Sequence, residues 1–276
     1  MPIQIYQVDA FTNIAFKGNP AAVCILEKEL EEEMMQAIAY EMNLSETAFV
    51  IQENNGEEKT NEFKIRWFTP NREVPLCGHA TLAASEVLFN QLNIPFDEII
   101  YRSKSGILKA QKDVYGISLD FPIDEAIDVP LEQFDDLLKA IGISKYRNIF
   151  LGKKTKKLVI HLESVEEILQ VNPNYELMTR LDIDNIKGVG VTTYSGEEND
   201  IISRYFNPWA GVNEDSVTGS VHTLLASYWS EILGKNELKA YQASKRGGSM
   251  VLRIKENKRL DMIGEAKTIL RGVLDL

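Results

Sequence analysis

Cysteine, histidine and basic charge are all scarce in this sequence. Its 276 residues hold two cysteines, Cys24 and Cys77, and three histidines, His79, His161 and His222. Two cysteines make no disulfide framework of the kind secreted domains rely on. Thirty Lys and Arg against 41 Asp and Glu leave a net charge of −11. Such a surface repels a phosphate backbone, so nucleic acid is excluded as a partner. The single basic run, Lys153-Lys154-Thr155-Lys156-Lys157, leads into apolar Leu158-Val159-Ile160 and reads as a solvated approach to a strand. No apolar run reaches the roughly 20 residues of a membrane-spanning helix, and the first residues show no charged segment followed by an apolar one. The expectation is a soluble, cytoplasmic chain with no membrane partner. No Gly-X-Gly-X-X-Gly follows a strand, so no dinucleotide is expected. His79 and His222 have no Cys or carboxylate at ligand-like spacing, so no metal is expected either.

What is present is an ordinary globular composition, 44% apolar and 26% charged, in a chain long enough to bury a large core without staples. Ile3-Gln4-Ile5-Tyr6-Gln7-Val8 alternates as a half-buried strand does. Gly18-Asn19-Pro20 marks a turn. Residues 31–42 carry Met34, Ala37, Ile38 and Tyr40 at helical spacing, 53–61 read as a polar hairpin or loop, and a helix is expected over about 78–92. Pro122 and Pro130 punctuate the middle of the chain. This suggests a lobe over 1–122, with the last strand as a possible addition, and a second over 123–276. Strands are expected near 146–151, 156–162, 187–194, 201–206, 238–242, 249–255 and 259–271, and a second long helix over about 219–233.

An internal repeat supports two lobes. Arg66-Trp67-Phe68-Thr69-Pro70, a loop, and Cys77-Gly78-His79-Ala80-Thr81-Leu82 match Arg204-Tyr205-Phe206-Asn207-Pro208, a longer loop, and Thr218-Gly219-Ser220-Val221-His222-Thr223-Leu224. The copies lie about half a chain length apart. Each reads as a strand, a loop, a glycine and a helix apolar most of the way round, which is the mark of a buried helix.

A glycine opening a buried helix lets a ligand approach the backbone. The first amides there lack acceptors and sit at the positive end of the dipole, so a small anion such as a carboxylate fits. Gly78 and Gly219, with Thr218 and Ser220, are the candidate anion-binding residues. Asp215, just upstream of Gly219, reads either as a proton carrier or orienter of His79, or as a turn-capping carboxylate. Glu46, in Asn43-Leu44-Ser45-Glu46-Thr47, reads either as plain surface or as a half-buried carboxylate with a raised pKa. His161 and Cys24 read as core.

Val8-Asp9-Ala10-Phe11-Thr12, Gly18-Asn19-Pro20-Ala21-Ala22-Val23, Asn43-Leu44-Ser45-Glu46-Thr47, Val74-Pro75-Leu76-Cys77-Gly78-His79 and Glu214-Asp215-Ser216-Val217-Thr218-Gly219-Ser220 occur in that order along nearly the whole chain. Together they resemble the PhzF-like, or phenazine biosynthesis-like, isomerase family. The resemblance implies an α+β, diaminopimelate epimerase-like fold. Two pseudo-symmetric lobes, each a curved and mostly antiparallel sheet around a central helix, would enclose the active site in the cleft between them. It implies a cofactor-free isomerase, commonly a homodimer, that moves a proton on a small anionic carboxylate. The family's acid/base glutamate falls on Glu46, and supporting residues fall on His79, Asp215 and Ser220. Ser216 departs from the family's usual proline, which puts the placement of Asp215 in doubt.

The related epimerases oppose two thiols, one at each helix start. Here the places are held by Cys77 and Thr218. A hydroxyl without an adjacent base is no substitute for a thiolate, which weighs against an amino-acid epimerase. A non-catalytic small-anion-binding protein is the other alternative.

Overall fold

The computed structural model describes residues 2–53, 60–183, 186–196 and 198–276. Most of the expected 53–61 loop, residues 54–59, lies outside this set. The chain divides into two compact units, Met1–Phe121 with Asp261–Leu276, and Pro122–Leu260.

In the first unit, β1 (Pro2–Ala10) pairs antiparallel with β2 (Asn19–Leu26) and with the last strand, Ala266–Asp275. β2 runs parallel to β3 (Glu46–Gln52), and β3 antiparallel to β4 (Glu62–Phe68). β4 takes the two-residue β5 (Glu73–Val74) antiparallel and β6 (Glu98–Ser103) parallel. β7 (Gly106–Asp113) and β8 (Gly116–Pro122) continue antiparallel. Helix α1 (Glu32–Met42) joins β2 to β3, and α2 (Gly78–Glu86) joins β5 to β6.

The sheet curls around α2. The helix packs on β1, β2, β3 and the last strand. Its Ser85 hydroxyl lies 3.0 Å from that of Tyr101 on β6, and its Gly78 lies beside Phe121 on β8. Every residue from His79 to Glu86 is therefore buried, as an all-round apolar sequence requires. The expected helix to about 92 continues past Glu86 only as a π turn over Val87–Gln91. On the other face, Met35, Ile38 and Ala39 of α1 meet Cys24, Phe49 and Phe68. Met34 and Tyr40, expected on the apolar stripe, are instead exposed. The packed stripe falls one residue later, at positions 35, 38, 39 and 42, a truer i, i+3, i+4, i+7 series.

The second unit repeats this pairing scheme. β9 (Ala126–Asp128) and β10 (Asn148–Gly152) are antiparallel, as are β10 and β11 (Leu158–His161). β11 is parallel to β12 (Val189–Tyr194), and β12 antiparallel to β13 (Ile201–Asn207). β13 takes the three-residue β14 (Val212–Glu214) antiparallel and β15 (Glu237–Gln242) parallel, and β16 (Gly248–Ile254) follows antiparallel. Helices α3 (Asp135–Ile141), α4 (Val165–Gln170) and α5 (Tyr175–Arg180) form the outer layer over Ile160, Val191 and Phe206. α6 (Gly219–Leu233) is the buried helix, its Trp229 indole donating to Thr192 Oγ1 on β12 at 3.0 Å.

The expected strand over 259–271 is two strands, Arg259–Gly264 and Ala266–Asp275, broken at Glu265.

The repeat extends to an ion pair. Arg66 on β4 grips Glu73 on β5 through two bonds of 2.8 Å, and Arg204 on β13 grips Glu214 on β14 at 2.7 and 3.1 Å. Each guanidinium also lies over the phenylalanine two residues on, Phe68 or Phe206, about 5 Å from the ring centre. Two-pronged Arg–carboxylate bonds fix direction as well as distance. They hold the chain where it turns from strand toward each buried helix.

The basic run 153–157 is less solvated than expected. Buried Asp124 accepts from the amides of Lys154 and Thr155 and from the Thr155 hydroxyl, folding the run into a loop. Lys157 is itself buried, its ammonium donating to the Tyr205 hydroxyl.

Candidate active site

Glu46 owes its position to the end of α1. Asn43 closes that helix in the left-handed conformation, at φ 49°, a role Asn tolerates better than most residues. Three residues later the chain enters β3, with Glu46 as its first residue in register with Ala21. Gly18 sets the neighbouring turn. Its φ is +63°, and a Cβ there would lie 2.1 Å from the Ala10 carbonyl oxygen, so no other residue fits. The turn delivers Asn19 and Pro20 beside Ser45, whose hydroxyl donates to the Pro20 carbonyl at 3.0 Å.

Onto this corner α2 places His79. Its Nε2 lies 3.2 Å from Glu46 Oε2 and 3.1 Å from Ser45 Oγ. Its Nδ1 lies 3.5 Å from Cys77 Sγ and 3.4 Å from the Asn19 side-chain amide. His79, Cys77 and Asn19 are buried, and Glu46 is half-buried.

Burial alone would push the Glu46 carboxyl up. The His79 charge and hydrogen bonds from His79, Ser45 and Cys77 outweigh it and leave the carboxyl below its usual range. The half-buried setting holds, but the direction is the reverse of a raised pKa. Burial likewise opposes a charged His79, yet negative charge at Cys77 and Glu46, with hydrogen bonds to both, lifts the imidazole well above its ordinary value. Burial and the Glu46 charge push the Cys77 thiol up. The shifts of Glu46 and His79 run toward a carboxylate facing an imidazolium, with Cys77 beside them.

Neither packing nor a positive φ demands glycine at position 78. A Cβ there would sit 3.5 Å from the Phe121 ring, an ordinary contact. As the first residue of α2, Gly78 presents an amide with no intrahelical acceptor.

The second unit gathers the other candidates. Asp215 donates its amide to the Tyr205 carbonyl at 3.0 Å, and its carboxylate accepts from Thr218 Oγ1 at 2.6 Å. The Gln242 side chain spans the same loop, donating to the Asp215 carbonyl and accepting from the Thr218 amide, each at 2.8 Å. Ser244 donates to the Ser216 carbonyl at 2.7 Å. Hydrogen bonds from β15 and the residues after it hold this loop on either side of Ser216. The premise that the Thr218 hydroxyl lacks an adjacent base is corrected by Asp215. Gly219 opens α6 and Ser220 is exposed on its first turn.

His222 is a core residue, fully buried, with Nδ1 2.8 Å from the Thr218 carbonyl and Nε2 3.3 Å from Ser203 Oγ. It matches Thr81 of α2, whose hydroxyl donates to the Cys77 carbonyl at 2.6 Å. His161 is buried against Tyr228, 2.9 Å from its hydroxyl. Cys24 is enclosed, and burial pushes its thiol up to about 12.

Sequence reasoning missed Asn19, Ser45 and Cys77 as members of the Glu46 centre, and Gln242 as the brace of the Asp215 loop. Asn19 and Ser45 stood inside the quoted motifs, but only the β2–β3 register shows that they meet. The expectation of no metal rested on missing Cys and carboxylate partners for His79. The fold supplies both, and one donor atom each from Glu46, Cys77 and His79 lies within 4.8 Å of the others.

The family model for phenazine biosynthesis-like protein matches residues 8–272. The chain belongs to this family. It is 44% identical to a phenazine biosynthesis-like domain-containing protein of Bos taurus, covering 99% of each. It is also 44% identical to an uncharacterized isomerase of Halalkalibacterium halodurans, again covering 99% of each. The crystal structure of a PhzF family protein from Enterococcus faecalis superposes with a TM-score of 0.89, at 40% identity and full coverage of both chains. A probable proline racemase from Agrobacterium radiobacter, 11% identical with a TM-score of 0.59 over 99% of this chain and 93% of its own, shares the fold. The fold is thus the α+β, epimerase-like one. Among the described residues, no helix is long and apolar enough to cross a membrane.

Proposed function

We propose that this PhzF-like chain is an isomerase that moves a proton between carbons of a small unsaturated or amino carboxylate, with Glu46 as the general acid/base. The observation that carries the reading is the Glu46–His79 pair, 3.2 Å apart beside the first amides of α2. A carboxylate that exchanges a proton with carbon needs a partly dry setting and a neighbour that adjusts its basicity. Glu46 has both. The isomerase name of a relative 44% identical over nearly its whole length supports the same class.

In this mechanism a substrate carboxylate settles at the Gly78 helix start, where unpaired amides and the dipole favour an anion. Its charge competes with Glu46 for the His79 imidazolium. Glu46 loses part of its stabilising partner, its basicity climbs toward the working range, and it takes the proton from carbon. The amides hold the negative charge that develops, and Glu46 returns the proton to a second carbon. On the same proposal the α6 start of the second unit, with Asp215, Thr218, Gly219 and Ser220, is itself a binding place for a small polar or anionic group. Asp215 is the titratable group at the α6 start, because a carboxylate removes little of an alcohol's proton and Thr218 stays a poor replacement for a thiol.

The test is deuterium uptake from heavy water into a panel of small unsaturated and amino carboxylates, followed by NMR. Glu46→Gln is expected to lose uptake by about 10²–10⁴-fold while still binding the same compounds. Full uptake in Glu46→Gln would remove Glu46 from the role. Binding without uptake by the native chain would leave a non-catalytic anion-binding protein.

A further inference from the structure

We propose that Glu46, Cys77 and His79 form a three-donor site for a borderline-soft divalent cation, Zn²⁺ foremost, and that the bound ion inhibits the chain. The inhibitory part rests on the function proposed above, whereas the binding does not.

The donor set is the first argument. A carboxylate oxygen, a thiol sulfur and an imidazole nitrogen are the three ligand types zinc takes from proteins. Their spacing is the second. With Zn–S near 2.3 Å and Zn–N and Zn–O near 2.0–2.2 Å, ligand atoms around a tetrahedral ion lie roughly 3.2–3.7 Å apart. Glu46 Oε2 is 3.2 Å from His79 Nε2, whereas Cys77 Sγ is 3.5 Å from Nδ1 on the opposite side of the ring, so on either nitrogen one ligand pair is already at this spacing and the third donor must move in. The full triplet, within 4.8 Å, needs contraction by about one ångström to close on one ion.

The surroundings suit a metal as well. Whichever ring nitrogen the ion takes, the other keeps a polar neighbour, Asn19 at Nδ1 or Ser45 at Nε2. Such outer partners orient ligating histidines. Thiolate and carboxylate carry two negative charges, which the ion neutralises. On binding, the thiol proton and any proton on the ligating nitrogen pass to solvent. Three protein ligands leave a fourth position open, and the ion occupies the place where Glu46 would carry its proton.

The experiment is a titration of the full chain with Cd²⁺, read as thiolate-to-metal charge-transfer absorption, alongside Zn²⁺ binding by calorimetry. One ion per chain is expected, with the absorption abolished in Cys77→Ser. Glu46→Gln and His79→Gln should each weaken Zn²⁺ more than tenfold, with circular dichroism confirming each fold. No charge-transfer band, or a band that survives Cys77→Ser, overturns the site, since Cys24 would then be the thiol. Affinity unchanged in Glu46→Gln and His79→Gln overturns it too, leaving a lone reactive thiol. In the deuterium-uptake assay, Zn²⁺ should stop exchange and a chelator restore it. Zn²⁺ bound with exchange undiminished overturns the inhibitory part. If no compound exchanges at all, the function proposed above fails while the spectroscopic titration still decides the site.

Discussion

Lys157 donates to the hydroxyl of Tyr205 at 2.5 Å, inside the second unit and away from bulk water. The Tyr205 hydroxyl in turn donates a hydrogen bond to the Lys187 carbonyl. Burial pushes the ammonium down to about 8, with the Asp215 charge working against that fall.

The consequence is a stability that changes on the alkaline side. The folded value of Lys157 lies below its unfolded value of about 10.5, so between the two the unfolded chain binds more protons and stability rises with pH. Above pH 10 the rise is opposed, because burial holds the Tyr205 phenol protonated in the folded state beyond its unfolded range. Lys157→Met is expected to flatten the rise between pH 8 and 10 and to stabilise the chain by about 1–3 kcal/mol at pH 7. Urea unfolding at pH 7, 8.5 and 10 reads both effects. A variant less stable than the native chain at pH 7 would show that the Tyr205 bond outweighs the cost of burying the charge.

On the acid side the group to watch is His222, which burial pushes down to about 4. Its folded value lies below the unfolded one of about 6.5, so the unfolded chain binds the extra proton and stability falls as pH drops from 6.5 toward 4. The slope is at most about 1.4 kcal/mol per pH unit. His222→Gln should remove one proton from the difference between pH 6 and 4.5. His161, also pushed down to about 4, retains its own share. An unaltered slope in His222→Gln would mean that His222 already titrates normally.

The paired arginines should differ in weight. Arg204 adds to its Glu214 grip two bonds from Nη1, to the Ile168 carbonyl at 3.1 Å and the Val171 carbonyl at 2.6 Å, which pin the end of α4. Among the described residues, Arg66 reaches the outer layer only through exposed Glu32. Arg204→Met strands a half-buried carboxylate and loses the α4 bonds, and should cost about 3 kcal/mol. Arg66→Met also uncovers a half-buried carboxylate, Glu73, but Lys104 stays paired with it, and the cost should be about 1 kcal/mol. Equal shifts in the urea midpoints would contradict this difference.

The repeat was legible because strand, glycine and apolar helix recur within short windows, and local patterns survive in sequence. Its ionic braces were not. Glu73 stands 7 residues beyond Arg66, and Glu214 stands 10 beyond Arg204, so no common spacing links the copies. The α1 stripe went astray for a different reason: Met34 and Tyr40 are apolar in composition and exposed in place, and periodicity weighs composition alone. Two-residue and three-residue strands such as β5 and β14 fall below any pattern. At the Glu46 centre the motifs carried each residue separately, while Asn19, Ser45 and His79 meet only through the parallel β2–β3 join and the placing of α2. The charge of that centre was out of reach for the same cause, since a carboxylate's pKa follows its neighbours rather than its own segment.

The strand Ala266–Asp275 pairs along the whole length of β1, from Ala10 opposite Ala266 to Pro2 opposite Asp275. During synthesis the first unit can therefore gather β1 to β8 around α2, but its sheet stays open at β1 until residues beyond 260 leave the ribosome. The second unit has no such wait, because its strands and helices lie in one continuous stretch of chain. A nascent chain stalled short of residue 266 would carry an uncovered strand edge, a natural place for chaperone capture or misassembly.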